Sequence, residues 1–195
     1  MGKQITLLTV HKGVDLHAAT AVRVMRDRLE GGDALVALYR CECHTYWDEA
    51  PAVSVAELLE IGRYFNPNKH HYGHFELPDA EVWRGPTVNG GGELPAGWPG
   101  PAVASDVPNP TEALYDQLLG GSVAAACRAV DICAMPLGQE RTLLSGVLWR
   151  LVLRAPDAAA SAQVAARAEQ LAVARSGKVG LLVNPHMESW LTAAR

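Results

Sequence analysis

Asn66-Pro67-Asn68-Lys69-His70-His71-Tyr72-Gly73-His74-Phe75-Glu76 is the densest polar constellation of the sequence, with three of the seven histidines inside five residues. Asn-Pro-Asn is turn chemistry: Pro67 fixes one backbone dihedral, and both asparagines can bond nearby main-chain groups. Beyond the turn His70, Tyr72, His74 and Glu76 alternate, so an extended strand would set them on one face and His71 on the other. Lys69 and the histidines suit a phosphate. His70, His74 and Glu76 are residue types that hold a divalent metal, although their spacing matches no defined site. The competing reading is a polar strand on an exposed sheet face, whose histidines bind nothing.

A second Asn-Pro turn, Asn184-Pro185-His186-Met187-Glu188, follows an apolar segment near the C-terminus. Loops at strand ends commonly gather into sites, so the two turns are expected to meet and line one cleft with Asn66, Lys69, His71, Asn184 and His186. The plainer alternative is a tight turn before a last element. Cys41-Glu42-Cys43-His44 could add thiolate and imidazole ligands, but Cys41 and Cys43 alternate along an apparent strand and read more simply as buried thiols. Gly90-Gly91-Gly92 lacks the lysine of a phosphate-binding loop, and neither G-x-G-x-x-G nor G-x-S-x-G occurs. No Ser-His or Cys-His pair nominates a nucleophile, so catalytic residues stay unassigned.

The elements that would carry these residues follow from local signals. Ile5 to Val10 reads as a first strand. Asp15 then caps a helix from Leu16 with Val22, Met25 and Leu29 on one side, stopped by Gly31-Gly32. A second strand runs from Ala34 through Cys41 and Cys43 towards Trp47. Ser54 and Glu57 form a capping box for a short helix to Ile61. From Gly85 to Pro110, twelve of twenty-six residues are Gly or Pro, which predicts a long irregular insertion. Asn109-Pro110-Thr111-Glu112 starts another helix. Val123 to Met135 is ambiguous between helix and strand, and Gly146 to Leu153 reads as a strand. Asp157 caps an Ala-rich helix ending near Arg175, and Val179 to Val183 reads as the last strand. No internal repeat is visible. The order predicts one α+β domain over residues 1–195, a ferredoxin-like or related sandwich of two β-α-β stretches sharing one sheet.

A net charge of −4 argues against nucleic acid, which calls for a surplus of Lys and Arg on one face. No window is apolar for the length of a membrane span, nor is the N-terminus a signal peptide. Four cysteines without a C-x-x-C pair suit free thiols in a reducing compartment, so a cytoplasmic location is expected.

Two stretches resemble the small subunit of phosphoribosylformylglycinamidine synthase. Leu59-Glu60-Ile61-Gly62-Arg63-Tyr64-Phe65 is similar to the run by which that subunit enters its second strand. Leu181-Leu182-Val183-Asn184-Pro185, with Glu188 and Trp190, is similar to the end of its second helix and the start of its final strand. This chain is more than twice as long, and its histidine segment and Gly/Pro insertion have no counterpart there. The resemblance implies a homo-oligomeric accessory subunit that pairs with a larger enzyme subunit and has no catalytic residues of its own. The leading expectation is accordingly an oligomeric accessory or ligand-binding protein, with a phosphate- or nucleotide-related ligand. Its rival is a small-molecule enzyme, metal-assisted, that uses the histidine segment.

Overall fold

A computed structural model describes residues 4–47, 54–77, 91–93, 126–139, 143–155 and 160–194. Strand β1 (Gln4–His11) leads through helix α1 (Leu16–Arg28) and a 3-10 turn at Gly32–Ala34 into β2 (Leu35–Trp47). Helix α2 (Val55–Glu60) and β3 (His70–Leu77) follow, then the short β4 (Gly91–Glu93), the hairpin β5 (Cys127–Pro136) and β6 (Leu143–Arg154), α3 (Ser161–Ala172) and β7 (Glu188–Ala194). All seven strands join one sheet in the order β3-β1-β2-β6-β5-β7-β4. The architecture is α+β, and the expected common sheet is present. Among the described residues no helix is long and apolar enough to cross a membrane.

The local signals act as elementary chemistry requires. Asp15 accepts hydrogen bonds from the His17 and Ala18 amides at the start of α1. Ser54 and Glu57 close a reciprocal capping box on α2. Met25 of α1 and its C-cap Leu29, with Val164, Ala168 and Leu171 of α3, face the sheet, packing on Leu38, Ile132, Trp149 and Leu151. Helix α2 lays Val55 and Leu58 on Ile5 and Leu7 of that same face. The opposite face carries its own buried cluster, including Leu8, Cys41, Cys43, Phe75, Cys133 and Leu148.

Two expectations about connectivity change. Strands β1 and β2, joined through α1, are direct antiparallel neighbours. The split β-α-β crossovers are instead β2–α2–β3, which straddles β1, and β6–α3–β7, which straddles β5. Val179 to Val183 is not a strand. Gly180 has φ +77°, and the amides of Leu181, Leu182 and Val183 all turn onto the Ala172 carbonyl (3.2, 2.7 and 2.9 Å), so the segment caps α3. Helix α3 therefore stops at Ala172, short of Arg175. Within the Gly/Pro-rich 85–110 segment, Gly91–Glu93 is regular, pairing in parallel with Trp190–Thr192 of β7. The rest of that segment, the Asn109-Pro110 helix start and the Asp157 cap lie outside the described residues.

An internal repeat is present, although the sequence conceals it. β1 meets β2 at Leu8↔Cys43, and β5 meets β6 at Cys133↔Leu148. The two halves join antiparallel, with Cys41↔Leu148 and Cys43↔Gly146 bracketing Glu42↔Val147. These registers superimpose under a pseudo-two-fold axis between Glu42 and Val147, giving each half the order β-β-α-β once α1, which has no counterpart between β5 and β6, is set aside. The match extends to single bonds. Lys12 N–H donates to Lys69 O at 2.8 Å where β1 and β3 end, and Leu137 N–H donates to Met187 O at 2.9 Å where β5 and β7 end. Thr6 and Thr45, whose hydroxyls lie 2.9 Å apart, hold the position that the Asp131–Arg150 ion pair (2.8 and 3.0 Å) holds in the second half. What repeats is register and hydrogen bonding, with residue identity kept at few positions, among them Gly62 and Gly180, both at positive φ.

Candidate functional site

The Asn-Pro turns occupy equivalent places in the repeat. Asn66 O accepts the Lys69 and His70 amides (2.9 and 2.8 Å), and Asn184 O accepts those of Met187 and Glu188 (3.0 and 2.8 Å). Each asparagine side chain accepts the amide two residues on, from Asn68 at 2.9 Å and from His186 at 3.0 Å. His70 Nδ1 takes the Asn66 amide at 3.3 Å, as Glu188 Oε2 takes the Asn184 amide at 2.8 Å. Both asparagines thus form Asx turns that start a strand. The sheet order sets those strands five positions apart, roughly 24 Å along the sheet at the usual ~4.8 Å spacing, and so does not bring the turns together within the sheet.

The alternation expected in β3 is present. His70, Tyr72 and His74 pair with His11, Thr9 and Leu7 on the helix-bearing face, and His71, opposite Val10, points to the other side. Lys69, His71 and His186 are exposed, whereas His74 is buried. A strand advances about 3.3 Å per residue, which sets His70 and His74 roughly 13 Å apart, beyond the ligand shell of one ion. The Glu76 side chain lies outside the described residues. Among those described, no three His, Cys, Asp or Glu side chains gather as a metal site. Cys41 and Cys43 are buried free thiols on the face opposite to His44, so the C-x-C-H run does not converge.

The structure instead assembles a polar patch on the helix-bearing face of the first half. Thr9 stands opposite Glu42 on one side and Tyr72 on the other. His44 follows Glu42 by two residues, between Leu7 and Ser145. Its Nδ1 lies 3.0 Å from Ser145 Oγ. Gln139 fixes that serine through both main-chain groups, accepting its N–H at 2.7 Å and donating to its carbonyl at 2.8 Å. Tyr64 covers the imidazole with a centroid separation of 4.6 Å. Arg40 donates to Glu42 at 3.1 Å, reaches Asp15 at 3.6 Å, and lies over the Trp149 ring. The Glu42 side chain is 39% exposed and forms the mouth of the patch.

Two buried atoms here have no partner among the described residues: Thr9 Oγ1 and His44 Nε2, in residues only 1% and 9% exposed. Such groups cost free energy in a folded chain and are rare. The fold does not demand them. Under the pseudo-two-fold, Thr9, Glu42, His44 and Tyr72 take the positions of Ala134, Val147, Trp149 and Trp190, all packed into the apolar core beneath α1 and α3. Burial lowers the His44 pKa from its ordinary value, with Glu42 opposing and Arg63 adding to the shift. Burial also lowers that of His70, helped by the His11 ring 4.9 Å away. Both imidazoles are therefore biased towards the neutral form.

Compared with known protein families, curated proteins and solved structures, the chain gives no significant match. Of the two stretches with a family resemblance, Leu59–Phe65 ends α2 and enters the first Asn-Pro turn, and Leu181–Trp190 runs from the α3 cap into β7. Sequence reasoning missed Thr9 and Ser145, and reached His44 only as a ligand beside Cys41 and Cys43. His44 and Ser145 are 101 residues apart, which leaves no local signal. Strand alternation does carry one, since it sets Glu42 and His44 together, away from the thiols.

Proposed function

We propose that this protein binds a small, uncharged polar molecule bearing hydroxyl or amide groups at the Thr9–Glu42–His44 patch. The observation that carries the reading is the pair of buried, unpartnered polar atoms, Thr9 Oγ1 and His44 Nε2, beside a part-exposed carboxylate. A bound hydroxyl or amide would satisfy both and cancel a cost that the second half of the sheet avoids with Ala134 and Trp149. Arg40 already neutralises Glu42, which disfavours a strongly charged ligand. The test is titration of ring-labelled protein with acetamide, glycerol and ribose, read by the His44 ¹⁵N shift. At least one should give a saturable shift that Thr9→Val weakens. No saturable shift with any of the three would refute the reading. Self-association and a larger enzyme partner, which the small-subunit resemblance implies, belong to the same proposal. They are tested by sedimentation and by native co-purification.

A second reading rests on the His44–Ser145 contact. A neutral imidazole 3.0 Å from a serine hydroxyl is placed to take its proton as the oxygen attacks an acyl carbon. An esterase of this kind would be labelled at Ser145 by a fluorophosphonate, and His44→Phe would abolish the labelling. Absence of label removes this reading and leaves the binding one standing.

A further inference from the structure

The Asn66 turn sets a row of aromatic rings beside the Thr9–His44 patch. Phe65 immediately precedes the turn, and His70, whose Nδ1 takes the Asn66 amide at 3.3 Å, closes it. The Phe65 ring stands 6.4 Å from that of His70 and meets that of Tyr72 edge-on at 5.0 Å. The His11 ring meets His70 edge-on at 4.9 Å. Phe65, His70 and Tyr72 are half-buried, and His11 is exposed. The row reaches the patch through Tyr72, which stands directly opposite Thr9, their Cβ atoms about 5 Å apart at the usual cross-strand spacing.

The second half of the sheet shows what folding alone places here. Val183, before the second Asn-Pro turn, is the equivalent of Phe65, while Trp190 and Trp149 are those of Tyr72 and His44. All three are buried in one apolar core with the twelve-residue α3. In the first half the corresponding helix, α2, has six residues and lies on Ile5 and Leu7, towards the end of β1 away from His11. The first half thus keeps part-exposed aromatic surface beside polar atoms, where its counterpart buries indoles of its own.

We infer that the molecule bound at the Thr9–His44 patch is aromatic, a planar ring carrying one uncharged amide or hydroxyl group. This rests on the reading of that patch as a binding site and adds the chemistry of the ligand's body. The amide or hydroxyl meets Thr9 Oγ1 and His44 Nε2, the two unpartnered buried atoms. The ring packs on Tyr72 and Phe65, edge to face, as those two rings pack on each other.

Titration of the full chain, ¹⁵N-labelled in its histidine rings, with benzamide, acetamide and cyclohexanecarboxamide tests the inference. All three carry the same amide, and only benzamide has a flat aromatic body. Benzamide should shift the His44 resonance saturably, binding roughly tenfold or more tighter than acetamide because a ring's worth of apolar area is covered. It should also bind about threefold tighter than cyclohexanecarboxamide, whose body is as apolar but makes no ring-to-ring contact. Phe65→Leu and Tyr72→Leu each keep an apolar side chain, and each should narrow the ratio of benzamide to acetamide affinity to within about threefold. The thermal midpoint checks that both variants fold. Saturable acetamide binding with benzamide no tighter overturns the aromatic ligand and leaves the patch reading standing. Equal affinity for benzamide and cyclohexanecarboxamide, or an undiminished ratio in both variants, overturns it as well. No shift with any of the three removes the patch reading and this inference together.

Discussion

Thr6 and Thr9 lie three residues apart on one strand and are 0% and 1% exposed, yet the same substitution should move stability in opposite directions. Thr6 Oγ1 is 2.9 Å from Thr45 Oγ1, whereas Thr9 Oγ1 has no partner among the described residues. Valine replaces the hydroxyl with a methyl of similar shape and has a similar strand preference, so those contributions cancel between the variants. At Thr6 it removes a bond whose net contribution is about 1 kcal/mol and leaves the Thr45 hydroxyl buried, so destabilisation by ~1–2 kcal/mol is expected. At Thr9 it removes a buried group that already suffers the desolvation penalty, and stabilisation by about 1 kcal/mol is expected. For a domain of this length 1 kcal/mol shifts the thermal midpoint by roughly 2–4 °C. Urea unfolding at pH 7.5, followed by tryptophan fluorescence and by circular dichroism, measures both. A Thr9→Val protein less stable than wild type would mean that the Thr9 hydroxyl is satisfied in the resting protein, and the main support for a ligand at the patch would disappear.

Other outcomes follow from the same contacts. Asp131→Leu strips the partner from the bidentate, buried Arg150 and should cost about 3–5 kcal/mol by urea unfolding; a loss under 1 kcal/mol would count against that pair as a structural anchor. Stability should also fall as the pH drops below about 6.5, because the unfolded chain protonates His44 there while burial holds the folded imidazole neutral. His44→Phe should flatten that slope, and an unchanged slope would show that His44 does not set it. Gly180→Ala forces a side chain to φ +77° and into the Val173 carbonyl, so it should cost more than ~2 kcal/mol and lower the thermal midpoint visibly. Ser54→Ala removes both hydrogen bonds of the Ser54 hydroxyl, to the Glu57 carboxylate and from the Glu57 amide, and should cost about 1 kcal/mol by urea unfolding.

The parts of this molecule that can be read from its sequence are those decided by adjacent residues. Asp15 and Ser54 cap their helices because an oxygen two or three bonds from Cα meets the next free amides wherever the chain turns helical. The histidine alternation in β3 needs only the two-residue period of a strand. Val179 to Val183 misleads for a related reason: it is apolar because it packs on the end of α3, and the periodicity of five residues cannot separate that from a strand when Gly180 supplies the turn. The repeat lies further out of reach. Register is fixed by which carbonyl meets which amide across strands, so Leu8↔Cys43 and Cys133↔Leu148 can be equivalent with no residue in common. The two Asn-Pro turns keep their identity, since Asx-turn geometry needs those asparagines, as do Gly62 and Gly180 before them, both at positive φ, and this recurrence of a structural staple made the turns look like a divided binding site. The patch shows the converse. Once the halves are superimposed, a position that folds well as Ala134 or Trp149 carries Thr9 or His44 at a cost, and residues kept against the interest of folding are where function is to be sought.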